Sequence, residues 1–186
     1  MIGVELVLRE SFLQTSSPSM VYFIKLADGA ETFKQQDLIP ANYVDEGHFY
    51  LFNASPGRYA VVATSRYSNV GPHELWTFLP GNLIAVTDKT VSGGSVVFMG
   101  SYSVDVIENL ADIDEAQRHY ATIVADREGI TVDKLPSGVS FTRAARLNER
   151  PDSAAEEKFL EPLAQDGRAG GWAATLNDRP RSLNTP

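Results

Sequence analysis

The stretch from His48 to Arg66 constrains the fold of this chain more than any other. Its first half, His48-Phe49-Tyr50-Leu51-Phe52-Asn53, is dense in aromatic residues. Its second, Arg58-Tyr59-Ala60-Val61-Val62-Ala63-Thr64-Ser65-Arg66, is dense in β-branched ones, and Ala54-Ser55-Pro56-Gly57 lies between. Aromatic and β-branched side chains fit a pleated surface better than a helix. A Pro-Gly pair reverses a chain easily, because proline presets φ and glycine accepts φ > 0. The stretch therefore reads as strand, tight turn, strand. Tyr59, just past the turn, is expected to pack at a corner and to bond its hydroxyl to the backbone.

Similar patterns flank it. Gly3 to Arg9 alternates apolar and polar residues, as a half-buried strand does, and Met20 to Leu26 is apolar enough for a central strand. Ser16 to Ser19 reads as a turn, Asp28-Gly29 as a hairpin turn leading into Glu31 to Lys34, and Pro40 to Gly47 as a loop. Glu74 to Leu79, Leu83 to Thr87, Ser95 to Gly100 and Ser101 to Ile107 continue as strands, with Pro80-Gly81 and Ser92-Gly93-Gly94 as turns. Gly100, inside an otherwise continuous strand pattern, predicts a bulge or bend. Short strands at a spacing of about ten residues point to a mainly β fold, an antiparallel β-sandwich of about seven strands.

After Ile107 the period changes. Leu110, Ile113, Gln117, Tyr120, Ile123 and Val124 fall at helical spacing, and Asp112 with Glu115 has the form of a capping box, so a helix is expected from Asp112 to about Gly129. Ile130 to Val132 suits a further strand. A second capping box, Ser153-Ala154-Ala155-Glu156, opens a helix carrying Phe159, Leu160 and Leu163, which Pro162 should end or kink. Trp172, after Gly170-Gly171, is expected to pin the tail, and residues 177–186 to be loose. The expected organisation is a sandwich over 1–108 and a helical extension with tail over 109–186, one or two helices in all.

Charge and composition exclude several classes. Residues up to Thr142 carry 9 basic and 17 acidic side chains, while those from Arg143 carry 7 of each. The acidic front part repels phosphate backbones, so no nucleic-acid partner is expected. The absence of cysteine removes disulfides, thiolate nucleophiles and zinc–thiolate sites. No apolar run approaches the roughly 20 residues of a transmembrane helix. No signal peptide is visible after Met1.

Two motifs carry a resemblance. Ser55-Pro56-Gly57-Arg58-Tyr59 leads into a Val/Ala strand, and Thr90-Val91-Ser92-Gly93-Gly94-Ser95-Val96-Val97-Phe98-Met99-Gly100 follows further on. Together they resemble the transthyretin-like (prealbumin-like) sandwich of carboxypeptidase regulatory-like domains, as used in small bacterial envelope lipoproteins. Phe159-Leu160 with Gly170-Gly171-Trp172 resembles the helix and Gly-Trp that some of those carry. The resemblance implies a non-catalytic module of the cell envelope that binds a protein or surface polymer or is structural, without a cofactor. It implies a periplasmic or outer-envelope place, with the cytoplasm as the alternative. The lipidation cysteine of the lipoprotein pattern is missing, so any lipid anchor would lie upstream of Met1.

The residues themselves suggest little chemistry. His48, His73 and His119 lack ligand spacing, so no metal site is expected. Asp105, Glu108, Asp112, Asp114 and Glu115 form an acidic cluster that suits a helix N-terminus better than a calcium loop. No Gly-x-Ser-x-Gly elbow exposes a serine, and Ser92-Gly93-Gly94-Ser95 lacks the lysine and helix of a phosphate loop. No catalytic residue is therefore named. The ligand-binding candidates are Tyr67, His73 and Trp76, which with Phe78 could form an aromatic platform for a glycan or peptide. Against this, the two-residue period places Trp76 and Phe78 together on one strand face, where they would fill a core. The loops Pro40 to Gly47 and Tyr67 to Pro72 are the expected working surface. A carbohydrate-binding module is the alternative, and a hydrolase with an acidic dyad ranks last.

Overall fold

Strand β1 (Ile2–Ser11) shows how the pattern becomes a sheet. Ile2, Val4, Leu6 and Leu8 are buried, while Glu5, Val7 and Arg9 between them are partly exposed. Each buried aliphatic side chain contributes about 1.5–3 kcal/mol of apolar burial. Register places Val4 opposite Phe49, Leu6 opposite Tyr102 and Leu8 opposite Val104, so these pairs share one face and one core. The opposite face carries Glu5 across from His48 and Ser101, and Arg9 across from Asp105.

The computed structural model describes residues 1–11, 14–26, 38–67, 73–107, 118, 138–150 and 154–165. After β1 come β2 (Gln14–Ser16), β3 (Met20–Leu26), β4 (Leu38–Pro40), β5 (Tyr43–Asp45), β6 (His48–Leu51) and β7 (Gly57–Tyr67). Then follow β8 (Glu74–Phe78), helix α1 (Gly81–Val86), β9 (Lys89–Val91), β10 (Val97–Ile107), β11 (Val139–Glu149) and helix α2 (Ala155–Gln165). All strands among the described residues join one sheet in the order β4-β3-β7-β8-β11-β10-β1-β6-β5, with β2 on β1 and β9 on β7. Its two ends, β4 and β5, are consecutive in the chain. Between them the Ala41 N–H donates to Val21 O of β3, and the Asn42 N–H to Tyr50 O of β6. The sheet therefore curls until both ends meet in one bent strand.

The fold is mainly β, as expected, but it is not an antiparallel sandwich of about seven strands. It is a mixed sheet of eleven, in which β1 runs parallel to β10 and β8 parallel to β11. The strands of the His48–Arg66 stretch exist, yet β6 pairs with β1 and β5 while β7 pairs with β3, β8 and β9. The Pro-Gly turn thus links two strands that are not neighbours. Adjacency in sequence predicts pairing only when the turn closes a ladder, and here the curled sheet places β4/β5 and β3 between them.

Other expectations shift for local reasons. Pro40 to Gly47 is largely strand, because β5 forms a hairpin with β6 around Glu46-Gly47. Leu83 to Thr87 is helical rather than extended: the N–H groups of Leu83 and Ile84 both bond to Pro80 O, and both side chains are buried. A four-residue apolar run suits either element. Thr87 closes α1 and repairs the sheet. Its hydroxyl donates to Ile84 O and accepts from the Val61 N–H, at a position of β7 between the reach of β8 and that of β9.

Two expectations hold in detail. Between the pairs Gly3–Phe98 and Glu5–Ser101 strand β10 gains a residue, a bulge at Gly100, whose φ is 123°. A Cβ there would meet the Tyr102 hydroxyl at 2.7 Å, so glycine is required twice over. The Tyr59 hydroxyl donates to Ser55 O at 2.9 Å, tying the turn to the strand that follows it.

The segment from 109 onward supplies more than helices. Strand β11 lies between β10 and β8, and its Thr142 hydroxyl bonds Thr77 Oγ1 at 2.8 Å. Helix α2 appears where the second helix was expected, and it continues past Pro162 to Gln165. Of the helix expected from Asp112 to about Gly129, Arg118 is described and is helical, while the strand at Ile130 to Val132, the strand at Glu31 to Lys34, Trp172 and residues 177–186 fall outside the described residues.

Among the described residues one interior hydroxyl is left over. Thr64 is fully buried opposite Thr77, and its Oγ1 has no hydrogen-bond partner. Thr64→Val keeps the shape and removes the stranded hydroxyl, so it should raise the unfolding free energy by about 1–2 kcal/mol in urea titrations.

Candidate functional site

The expected aromatic platform separates into two places. Tyr67 ends β7 with 68% of its surface exposed, and its Cα partner is Glu74, next to the exposed His73. These two residues flank the β7–β8 connection, of which residues 68–72 lie outside the described set. Trp76 belongs elsewhere. It is 3% exposed, opposite Ser65 and Phe141, and stacked on Tyr22 with ring centroids 4.5 Å apart. Phe78 lies beside it at 6.0 Å and is equally buried. Both ladder neighbours of β8 are long strands, so Trp76, Thr77 and Phe78 are all buried, on both faces. Trp76 is thereby withdrawn as a ligand contact, while Tyr67 and His73 remain together at the surface.

A second set of polar groups spans β1, β10 and the end of β11. Glu5 accepts from the Ser101 hydroxyl and, at 2.8 Å, from Arg150 Nη1, while the Arg150 N–H bonds Ser101 O. Asp105 accepts from Arg9 Nε at 2.6 Å and from Asn148 Nδ2 at 3.2 Å. Each carboxylate thus joins three strands across the two ladders that the sequence reading missed. This uses Asp105, the first member of the acidic cluster, as a structural ion-pair partner. Ser92 to Ser95 is a turn, with the Ser95 N–H on Ser92 O and the Ser92 N–H on Ser95 Oγ. Among the described residues no three His, Asp or Glu side chains come together to hold a metal ion.

The third cluster lies beneath α2. Phe159, fully buried, stacks on Tyr50 at 4.7 Å and meets Phe98 at 4.7 Å and His48 at 6.1 Å. It rests on Gly3, where a Cβ would meet its ring at 2.6 Å. The Tyr50 hydroxyl donates to Phe159 O at 2.8 Å, and Leu163, Met1 and Val96 complete the patch. Sequence reasoning gave Phe159 and Leu163 to a helix face, but nothing in the pattern of β6 shows what that face covers.

Burial dominates the electrostatics here. It pushes the Tyr50 hydroxyl above its ordinary value of 10.0, with the negative charge of Asp45 adding to the effect and Tyr43 after it. Tyr102 is raised by burial and then by Glu149. Both phenols keep their protons in the folded chain beyond the pH at which the unfolded chain loses them. Their contribution to stability is therefore complete below pH 10.0 and lost as the pH rises above it. Urea midpoints should fall steeply above that point in the native chain and less steeply in Tyr50→Phe. That variant should also be weaker at neutral pH by about 1 kcal/mol, for the lost hydrogen bond.

Compared with known protein families, curated proteins and solved structures, the chain matches none. The transthyretin-like resemblance accordingly rests on its turn and glycine motifs. Among the described residues no helix is long and apolar enough to cross a membrane.

Proposed function

We propose that this protein is a non-catalytic binding module that contacts a protein or surface polymer of the cell envelope through the end of the β7–β8 ribbon. One observation carries the reading: Tyr67 is a large aromatic side chain left 68% exposed, beside His73 and across from Glu74. Tyrosine combines a broad apolar ring with a hydroxyl and loses little entropy on binding, which is why it anchors so many interfaces. The backbone beneath it is held, since the Tyr67 N–H donates to Ser19 Oγ and the strand is paired on both sides through Ser65. The envelope location comes from the resemblance alone. The carbohydrate-binding alternative loses its main support with Trp76 buried, because a glycan platform needs coplanar exposed rings.

A photoreactive phenylalanine analogue in place of Tyr67 tests the reading in the native cell. Adducts with an envelope component, and none from the same group placed at the exposed Thr90, are the expected result. Equal labelling at both positions, or adducts confined to the cytosolic fraction, would contradict it. The mature N-terminus, read by mass spectrometry from the fractionated cell, tests the location separately.

A further inference from the structure

His48 is a polar residue in an apolar position. It is 8% exposed, its ring lies 6.4 Å from that of Tyr50 and 6.1 Å from that of Phe159, and neither ring nitrogen has a hydrogen-bond partner. A phenylalanine would pack there without stranding two nitrogens. The strands on either side present carboxylates on the same face: Glu5 of β1 and Asp45 of β5 are the Cα partners of His48. Glu5 is already engaged by Ser101 and Arg150. Asp45 is near enough to bear on the Tyr50 hydroxyl.

We propose that His48 is a protonation latch for helix α2. The neutral ring lies beneath Phe159 and completes the apolar bed on which α2 docks. A protonated ring carries two donors and a charge that this bed cannot satisfy. Asp45 lies one strand away on the same face, and a turn about the side-chain bonds brings the charged ring toward it. That movement removes the support under Phe159 and weakens the docking of α2.

The other titratable groups around the site are Glu5 on β1, Tyr43 on β5, Tyr50 on β6, Arg150 after β11 and the Met1 amino group, which donates to Ser95 O and whose charge burial disfavours. From α2 the group that faces His48 is Phe159, while Glu156, Glu157, Lys158 and Glu161 are exposed. Glu5 is neutralised by Arg150, and Tyr50 bonds the helix backbone, so Asp45 is the acceptor left for the cation. Histidine is the side chain whose charge ordinarily changes between about pH 5 and 8, which sets the range to be scanned.

The test follows the Leu163 methyl signals of the full chain by NMR, since docking holds Leu163 in the aromatic patch with Tyr50 and Phe159. Between about pH 8 and pH 5 the docking equilibrium of the native chain should weaken about tenfold. His48→Phe should stay docked across the range, with His48→Gln as the second variant if phenylalanine perturbs folding. Asp45→Asn should blunt the response. A docking equilibrium of the native chain that is unchanged at about pH 5, a response that survives in His48→Phe and His48→Gln, or an undiminished response in Asp45→Asn overturns the proposal.

Discussion

Ending the chain after Ile107 is expected to abolish the cooperative fold, not merely to trim it. The cut removes β11, the strand whose ladders hold β8 on one side and β10 on the other. What remains is two partial sheets, β4-β3-β7-β8 and β10-β1-β6-β5, whose ladders among the described residues meet where β4 runs into β5. Both new edges would expose long rows of unpaired N–H and C=O groups, a known route to aggregation. The cut also strips Phe141 from Trp76 and Thr142 from Thr77. Losing a single buried aromatic ring typically costs about 3–5 kcal/mol, a large share of the 5–15 kcal/mol that holds most domains together. Circular dichroism and urea titration of the fragment should show no native transition. A fragment that unfolds cooperatively with the midpoint of the whole chain would mean that β11 is an accessory.

The second large effect concerns the seat of α2. Phe159→Ala should cost about 3–5 kcal/mol, because the ring is fully buried among Tyr50, Phe98 and Gly3. Gly3→Ala should cost about 1–3 kcal/mol, since its methyl group would overlap both the Phe159 ring and Phe49 O. The two changes are not independent. Removing the ring makes room for the methyl, so the double variant should be more stable than the sum predicts by roughly 0.5–3 kcal/mol. The residual clash with Phe49 O prevents full rescue. Additivity in urea titrations would show that Phe159 does not sit on Gly3.

These two tests address the parts of the molecule the sequence left least visible. Strand identity was legible wherever residues alternate or cluster as β-branched and aromatic runs: β1, β3, β6, β7, β8 and β10 all fall where the pattern places them, and Gly100 is the bulge it implies. Pairing was not legible. Parallel contacts between β1 and β10, or β8 and β11, join segments far apart in the chain, and no local signal encodes them. Strand β11 escaped notice because Thr142, Arg143, Arg146 and Asn148 break its apolar pattern, and two of those side chains bond to groups on neighbouring strands. The run Leu83 to Val86 is too short for its period to separate helix from strand. In the candidate site, the period of two correctly sent Trp76 and Phe78 to one face, but only the stacking on Tyr22 shows that face to be buried. The position of His48 depends on α2, more than a hundred residues later, and no pattern within β6 could reveal it.

The measurement that bears most directly on the account is native-state hydrogen exchange along β11. A strand at the centre of the curled sheet, paired on both sides, should open only with the whole molecule. Amides from Thr142 to Leu147 that form ladder bonds should therefore share the protection of the most protected amides in β1 and β10. If they exchange through a separate, lower-energy opening while β1 and β10 stay closed, β11 is a strand laid onto a sheet that holds without it, and the single closed architecture described above is wrong.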